Sequence, residues 1–94
     1  MSDRTRLRNL KRALGEIDRL ASELNIPEDA RTRGTSIYRQ LRRDGKLPGR
    51  SVEEVVAASL YLACRDDKIP RSPDEFVAHI EYDRTTFLRA ATYI

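Results

Sequence analysis

The sequence predicts an all-α domain of five helices with the third at its centre. Three observations carry that expectation. Leucine and isoleucine recur at steps of three and four near the N-terminus. Two S-x-x-E capping boxes mark helix starts at Ser51 and Ser72. Residues 52–64 are apolar on nearly every side, in a chain of 94 residues of which 35% are charged. A helix without a wet face in so charged a chain must be wrapped by other helices. No segment makes a strong strand candidate, and there is no internal repeat or low-complexity tract.

The first helix is expected over Thr5 to Leu24, with Leu7, Leu10, Leu14, Ile17, Ala21 and Leu24 forming one apolar stripe. Asn25-Ile26-Pro27 interrupts it, and Pro27 suits the first turn of the next helix. The second helix should run to Asp44, with Ala30, Gly34, Ile37, Tyr38 and Leu41 on one face. Ala30 and Gly34 are small and four apart, so another helix can approach closely there. Gly45 is a natural C′ residue, free to take positive φ. Lys46-Leu47-Pro48-Gly49-Arg50 then makes a basic loop with two backbone punctuators.

Ser51 and Glu54 open the third helix as a capping box. The valines at 52, 55 and 56 also suit a strand, but the cap, the length and the alanine content favour helix. Arg65-Asp66-Asp67-Lys68 returns the chain to solvent, and Ile69-Pro70-Arg71 turns it. Ser72 and Glu75 form the second capping box, with Pro73 at the first helical position. A short helix then carries Phe76, Val77 and Ile80, with His79 at the edge of the core. Asp83 is a good N-cap for a last helix bearing Phe87, Leu88, Ala91 and Ile94.

The charge is polarised. Residues 1–50 hold 13 Lys/Arg, 11 of them Arg, against 7 Asp/Glu, while residues 51–94 hold 5 against 8. Planar arginine suits bidentate contacts to phosphate, so the first half points to a polyanion such as nucleic acid. The rival reading is ordinary solvated helix faces. No apolar run approaches the roughly 18 residues that a membrane span needs, and the N-terminus lacks a secretory h-region. We therefore expect an intracellular protein without a membrane partner. Cys64 sits in an apolar setting and reads as a packed thiol. His79 has no second histidine or acid placed to complete a triad or a metal set, and no glycine-rich phosphate loop is present. We expect no enzyme activity, no metal and no cofactor.

Specific strings carry more. Gly49-Arg50-Ser51, the run Ala-Ala-x-Leu-Tyr-x-Ala-Cys-Arg at residues 57–65, and Ile69-Pro70-Arg71-Ser72 come first. Asp74-Glu75 and Asp83-Arg84 follow. Upstream stand Arg8-Asn9-Leu10, Glu16-Ile17-Asp18-Arg19-Leu20-Ala21 and Ile37-Tyr38-Arg39. With these, the whole chain resembles the first cyclin-like core repeat of archaeal transcription factor B, the counterpart of eukaryotic transcription factor IIB. The resemblance implies a cyclin fold with a central third helix. It also implies a role in transcription initiation: docking on the TATA-binding protein at promoter DNA, touching DNA beside the TATA element, and helping to recruit RNA polymerase.

We expect residues 1–94 to form one such repeat, without the family's zinc ribbon or second repeat. In the last helix the chain departs from the family pattern. Leu88 stands where glycine is usual, and Ala91 replaces an aromatic residue.

The loop that lies near DNA in the family corresponds here to Lys46–Arg50. The candidate DNA contacts are Arg42, Arg43, Lys46, Gly49 and Arg50. Gly49 would permit close backbone approach, and Arg50 could enter a minor groove. Asp74, Glu75, Glu81, Arg84 and Arg89 are the candidate protein-partner residues. Two alternatives stand beside this reading. One is a cyclin-type interaction scaffold without DNA contact. The other is a stand-alone helix-turn-helix regulator reading bases through Arg84, Thr85, Thr86 and Arg89; the acidic second half disfavours it.

Overall fold

The structure is a computed structural model that describes residues 3–45 and 49–93. Five helices follow in order, with no strand among the described residues: α1 Asp3–Glu23, α2 Glu28–Asp44, α3 Val52–Asp66, α4 Pro73–Val77 and α5 Arg84–Tyr93. The third helix packs against all four others, most extensively against α2. Val55, Val56, Ala57, Ala58, Ser59, Leu60, Leu62, Ala63 and Cys64 are all buried along it. The expected central helix is thus the observed one. Its one buried hydroxyl, Ser59 Oγ, donates to the Val55 carbonyl at 2.8 Å and brings no unmet polar atom into the core. Burial pushes the Cys64 thiol above its ordinary pKa, which keeps it protonated and unreactive. Among the described residues no helix is long and apolar enough to cross a membrane.

The core stripe of α1 differs from the expected one. Ile17, Ala21 and Leu24 are buried as expected, but Ala13 and Leu20 join them at zero exposure while Leu7 is 54% exposed. Leu10 and Leu14 are partly covered. For Leu7 the reason is length: α1 has 21 residues and α3 has 15, so the first turns of α1 outrun the helix they would pack on.

On α2 the small face does what its spacing implies. Ala30, Gly34, Tyr38 and Leu41 are buried, and Ile37 is half-buried. A Cβ built on Gly34 would lie 2.7 Å from Leu60 Cδ2, so the absent side chain is what lets α2 sit against α3. Gly45 closes α2 in the left-handed region at φ 63°.

Two further helix ends share one device. Asn25 (φ 52°) and Lys68 (φ 58°) are left-handed. Behind each, an isoleucine N–H reaches back five residues, Ile26 to the Ala21 carbonyl and Ile69 to the Cys64 carbonyl, both at 2.8 Å. These are Schellman closures of α1 and α3, each followed by a proline that stops the helix. Arg71 joins the two turns. Its Nε donates to the Leu24 carbonyl at 2.8 Å and its Nη2 to the Asn25 carbonyl at 3.0 Å, so one guanidinium satisfies acceptors at the end of α1. Arg71→Ala should lower stability by about 1–2 kcal/mol in urea denaturation, and Arg71→Lys should not restore it fully, because an ammonium lacks the fork. Wild-type stability for Arg71→Ala would show that this tie contributes nothing.

Two of the predicted helix caps are as expected, and the third is corrected in part. Ser72 and Glu75 make the full capping box. At Ser51 the hydroxyl accepts from the Glu54 N–H at 3.1 Å, but the Glu54 carboxylate lies towards Arg50, at 3.8 Å. Asp83 Oδ1 accepts from the Thr86 N–H at 2.8 Å, which also holds its carboxyl below the usual range. The short fourth helix ends at Val77, so His79 is not within it. His79 is an exposed residue of the following turn, with Nδ1 2.7 Å from Glu23 Oε2. On α5, Phe87 and Ala90 are buried while Leu88 and Ala91 are partly so; Ile94 lies outside the described residues. Phe76, Phe87 and Tyr61 form an aromatic cluster with centroids 5.5–5.7 Å apart, which locks α4 and α5 onto α3. Tyr82 pins the intervening turn, donating its hydroxyl to the Glu53 carbonyl at 3.1 Å; burial raises its pKa well above 10.

Candidate nucleic-acid interface

Arginine pairing separates the two ends of α2. Near its start, Arg31 pairs with Asp18 of α1, and Arg33 Nε donates to Asp67 at the end of α3 at 2.6 Å. Arg12 of α1 is likewise held, its fork donating to both Glu53 oxygens at 2.8 Å. These charges are spoken for. At the C-terminal end of α2, Arg39 and Arg43 have no acidic partner among the described residues. With Arg42, and with Arg6 and Leu10 of α1, they line an open groove. Arg42 Nη2 donates to the Arg6 carbonyl at 2.6 Å, which ties the first turns of α1 to the end of α2 and sets the groove's width.

Beyond the loop, Gly49 is exposed at φ 81°, with nothing within 4 Å of a built Cβ. Glycine is favoured there by backbone conformation. Arg50 is not a free side chain. It is 23% exposed, Nη1 lies 3.8 Å from Glu54, and its guanidinium carbon stands 5.4 Å from the Tyr93 ring centroid. Tyr93, Leu88 and Arg89 of α5 line a shallow depression with it. Arg50 is therefore oriented by a carboxylate on one side and a ring on the other. Lys46 lies outside the described residues.

The predicted DNA set is thus brought to two places, the α1–α2 groove for Arg42 and Arg43 and the α3–α5 corner for Arg50. Sequence reasoning missed Arg6 and Arg39 in the groove, and Glu54 and Tyr93 around Arg50. The four-residue spacing of Arg39 and Arg43 was available as a signal. Nothing local joins Arg6 to them.

The predicted protein-partner residues scatter. Asp74 accepts from Arg84 Nε at 2.9 Å, and Glu75 is engaged in its capping box. Arg89 stands beside Arg50. Glu81 lines a cleft with Glu16, Glu23 and Glu53, where Arg19 chelates Glu16 at 2.7 and 2.8 Å and donates to the His79 carbonyl at 2.9 Å. The Glu16 bond raises the Arg19 pKa further, so that cation is permanent. Among the described residues no group of three or more His, Cys, Asp or Glu is placed to hold a metal ion.

Comparison with known proteins agrees with this architecture. The family model described as the transcription factor TFIIB repeat matches residues 6–91. Transcription initiation factor IIB 2 of Haloferax volcanii is 46% identical over 87 residues, covering 93% of this chain and 26% of that protein. Transcription initiation factor IIB 2 of Halobacterium salinarum is 45% identical, covering 93% and 27%. Transcription initiation factor IIB of Archaeoglobus fulgidus is 42% identical, again covering 93% and 27%. The chain spans about a quarter of the length of these curated relatives.

Proposed function

The chain belongs to the transcription factor TFIIB repeat family, and from that membership we propose that it is a module of a transcription initiation factor, docking on TATA-binding protein at promoter DNA and helping to recruit RNA polymerase. The observation that carries the proposal is the family match across 86 of 94 residues, residues 6–91, on a five-helix frame with a buried third helix. The action is one of bridging, in the cytoplasm beside the chromosome, with no bond made or broken.

Arg50 supports the DNA side of the reading. A free surface arginine loses side-chain entropy on binding. Here Glu54 and Tyr93 have already restricted the guanidinium, and Gly49 leaves the preceding backbone uncovered. Such a preset cation contacts a phosphate or enters a minor groove at lower entropic cost. Arg42 and Arg43 add positive potential at the end of α2, which steers and positions without reading sequence. On the protein side, the Glu81 cleft offers charge complementarity to a basic group of a partner, and the Asp74–Arg84 pair and Arg89 offer it to an acidic one.

The test is a band shift on a TATA-binding protein–promoter complex with and without the chain. A supershift is expected. Arg50→Ala should weaken it and flatten the dependence of log affinity on log salt by about one unit, the signature of one lost phosphate contact. No supershift at any concentration defeats the proposal. A supershift that Arg50→Ala and Arg43→Ala leave unchanged in affinity and slope leaves a scaffold that works without touching DNA.

A further inference from the structure

We infer that the groove between the first turns of α1 and the last turns of α2 is a second phosphate-binding site, in which Arg6, Arg39 and Arg43 grip the backbone of duplex DNA and Arg42 holds the two walls together. The inference rests on the DNA-bound reading above and adds a surface to it that includes the N-terminal turns of α1.

The first argument is selective neutralisation. Arg12, Arg31 and Arg33 each meet a carboxylate from another helix or a helix end. Of the groove's four arginines, none has an acidic partner among the described residues, and no acidic residue lines the groove. Four like charges across two helix ends repel one another in the folded chain. A polyanion relieves that repulsion and releases its own condensed counterions.

Geometry is the second argument. Arg39 and Arg43 are one helical turn apart, so they project along one wall, while Arg6 stands on the other. Arg42 spends one Nη2 donor on the Arg6 carbonyl, at 2.6 Å, which fixes the walls before any ligand arrives. The lining residues are four arginines and Leu10, with no aromatic side chain to stack on a base and no carboxylate to accept from one. The chemistry recognises phosphate spacing and not base identity. An acidic protein surface is the rival occupant. Three arginines on the α2 wall facing one on the α1 wall, with one half-buried leucine and no deeper apolar pocket for an anchor side chain, favour nucleic acid.

Fluorescence anisotropy of the 94-residue chain with labelled 20-base-pair duplexes, across a salt series, tests the inference. Arg39→Gln and Arg43→Gln should each reduce the salt slope by about 0.9, and Arg6→Gln/Arg39→Gln/Arg43→Gln should weaken binding at least tenfold on two duplexes of unrelated sequence alike. Arg33→Gln, which removes an internally paired charge, is the control and should change little. Far-UV circular dichroism checks that the variants remain folded. Equal losses for the triple variant and for Arg33→Gln, or an unchanged slope in the triple variant, overturn the site. If the triple variant keeps wild-type duplex binding but fails to join the TATA-binding protein–promoter complex, the groove serves an acidic protein and the inference is wrong. Duplex binding lost with the groove while wild-type chain gives no supershift would defeat the proposed function and leave the phosphate site standing.

Discussion

Leu60→Ala should destabilise the domain by about 2–5 kcal/mol, because a fully buried side chain is removed from a small core whose walls relax poorly. For a domain of this size that corresponds to a fall in Tm on the order of 10–30 °C. The site also permits a sharper test. Gly34→Ala places a methyl group 2.7 Å from Leu60 Cδ2 and 3.4 Å from Leu60 Cα. Overpacking of this kind costs about 1–3 kcal/mol, against about 1 kcal/mol gained from helix propensity. Gly34→Ala alone should therefore be neutral to moderately destabilising. In the Leu60→Ala background the Cδ2 clash is gone, and the same substitution should become stabilising by up to about 1 kcal/mol. Thermal melts of the four proteins measure the coupling. If Gly34→Ala has the same effect in both backgrounds, the two helices do not meet at this pair.

Phe87→Ala is the second large effect, about 3–5 kcal/mol. Phe87 is fully buried and touches both Phe76, stacked at 5.6 Å, and Tyr61, edge-on at 5.5 Å. Those rings are the main apolar link from α5 to α3 and α4, so truncation opens a cavity where three helices converge. Phe87→Leu keeps most of the volume and should cost clearly less, leaving chiefly the lost ring–ring contacts of about 0.5–1.5 kcal/mol each. Guanidinium titrations of both variants distinguish these terms. A loss below about 1 kcal/mol for Phe87→Ala would mean that α5 is held by something other than this cluster.

Helix starts were readable because caps are local. Ser51, the Ser72–Glu75 box and Asp83 need partners three residues away. The stop at Gly45 was equally plain, since glycine advertises positive φ. The stops before Ile26-Pro27 and Ile69-Pro70 were placed as well, but the left-handed conformation of Asn25 and Lys68 was not, because neither residue demands it. The error at His79 arose from extending an apolar pattern past Val77, where α4 has already ended and Ile80 packs from a turn. Leu7 was placed on the core stripe by periodicity, which reports the face of a helix and says nothing of how far its neighbour extends.

The candidate site was half readable for a related reason. A density of arginine around residues 39–50 is visible in the chain, but whether an arginine is free depends on carboxylates delivered from elsewhere. Asp67 reaches Arg33 across 34 positions and Glu53 reaches Arg12 across 41, while Arg39 and Arg43 receive none among the described residues. Arg50 was foreseen as a contact but not as a held one, since Tyr93 arrives from the far end of the chain.

Interactions within one helical turn therefore set where the helices begin, which face is apolar, and that α3 must be enclosed: these are short-range, and residue order states them directly. Which leucine fills the space above Gly34, which turn Arg71 staples, and which arginines are left to meet an outside anion were settled when the helices docked. Packing and ion pairing act through space between groups dozens of residues apart, and order along the chain carries no such distances.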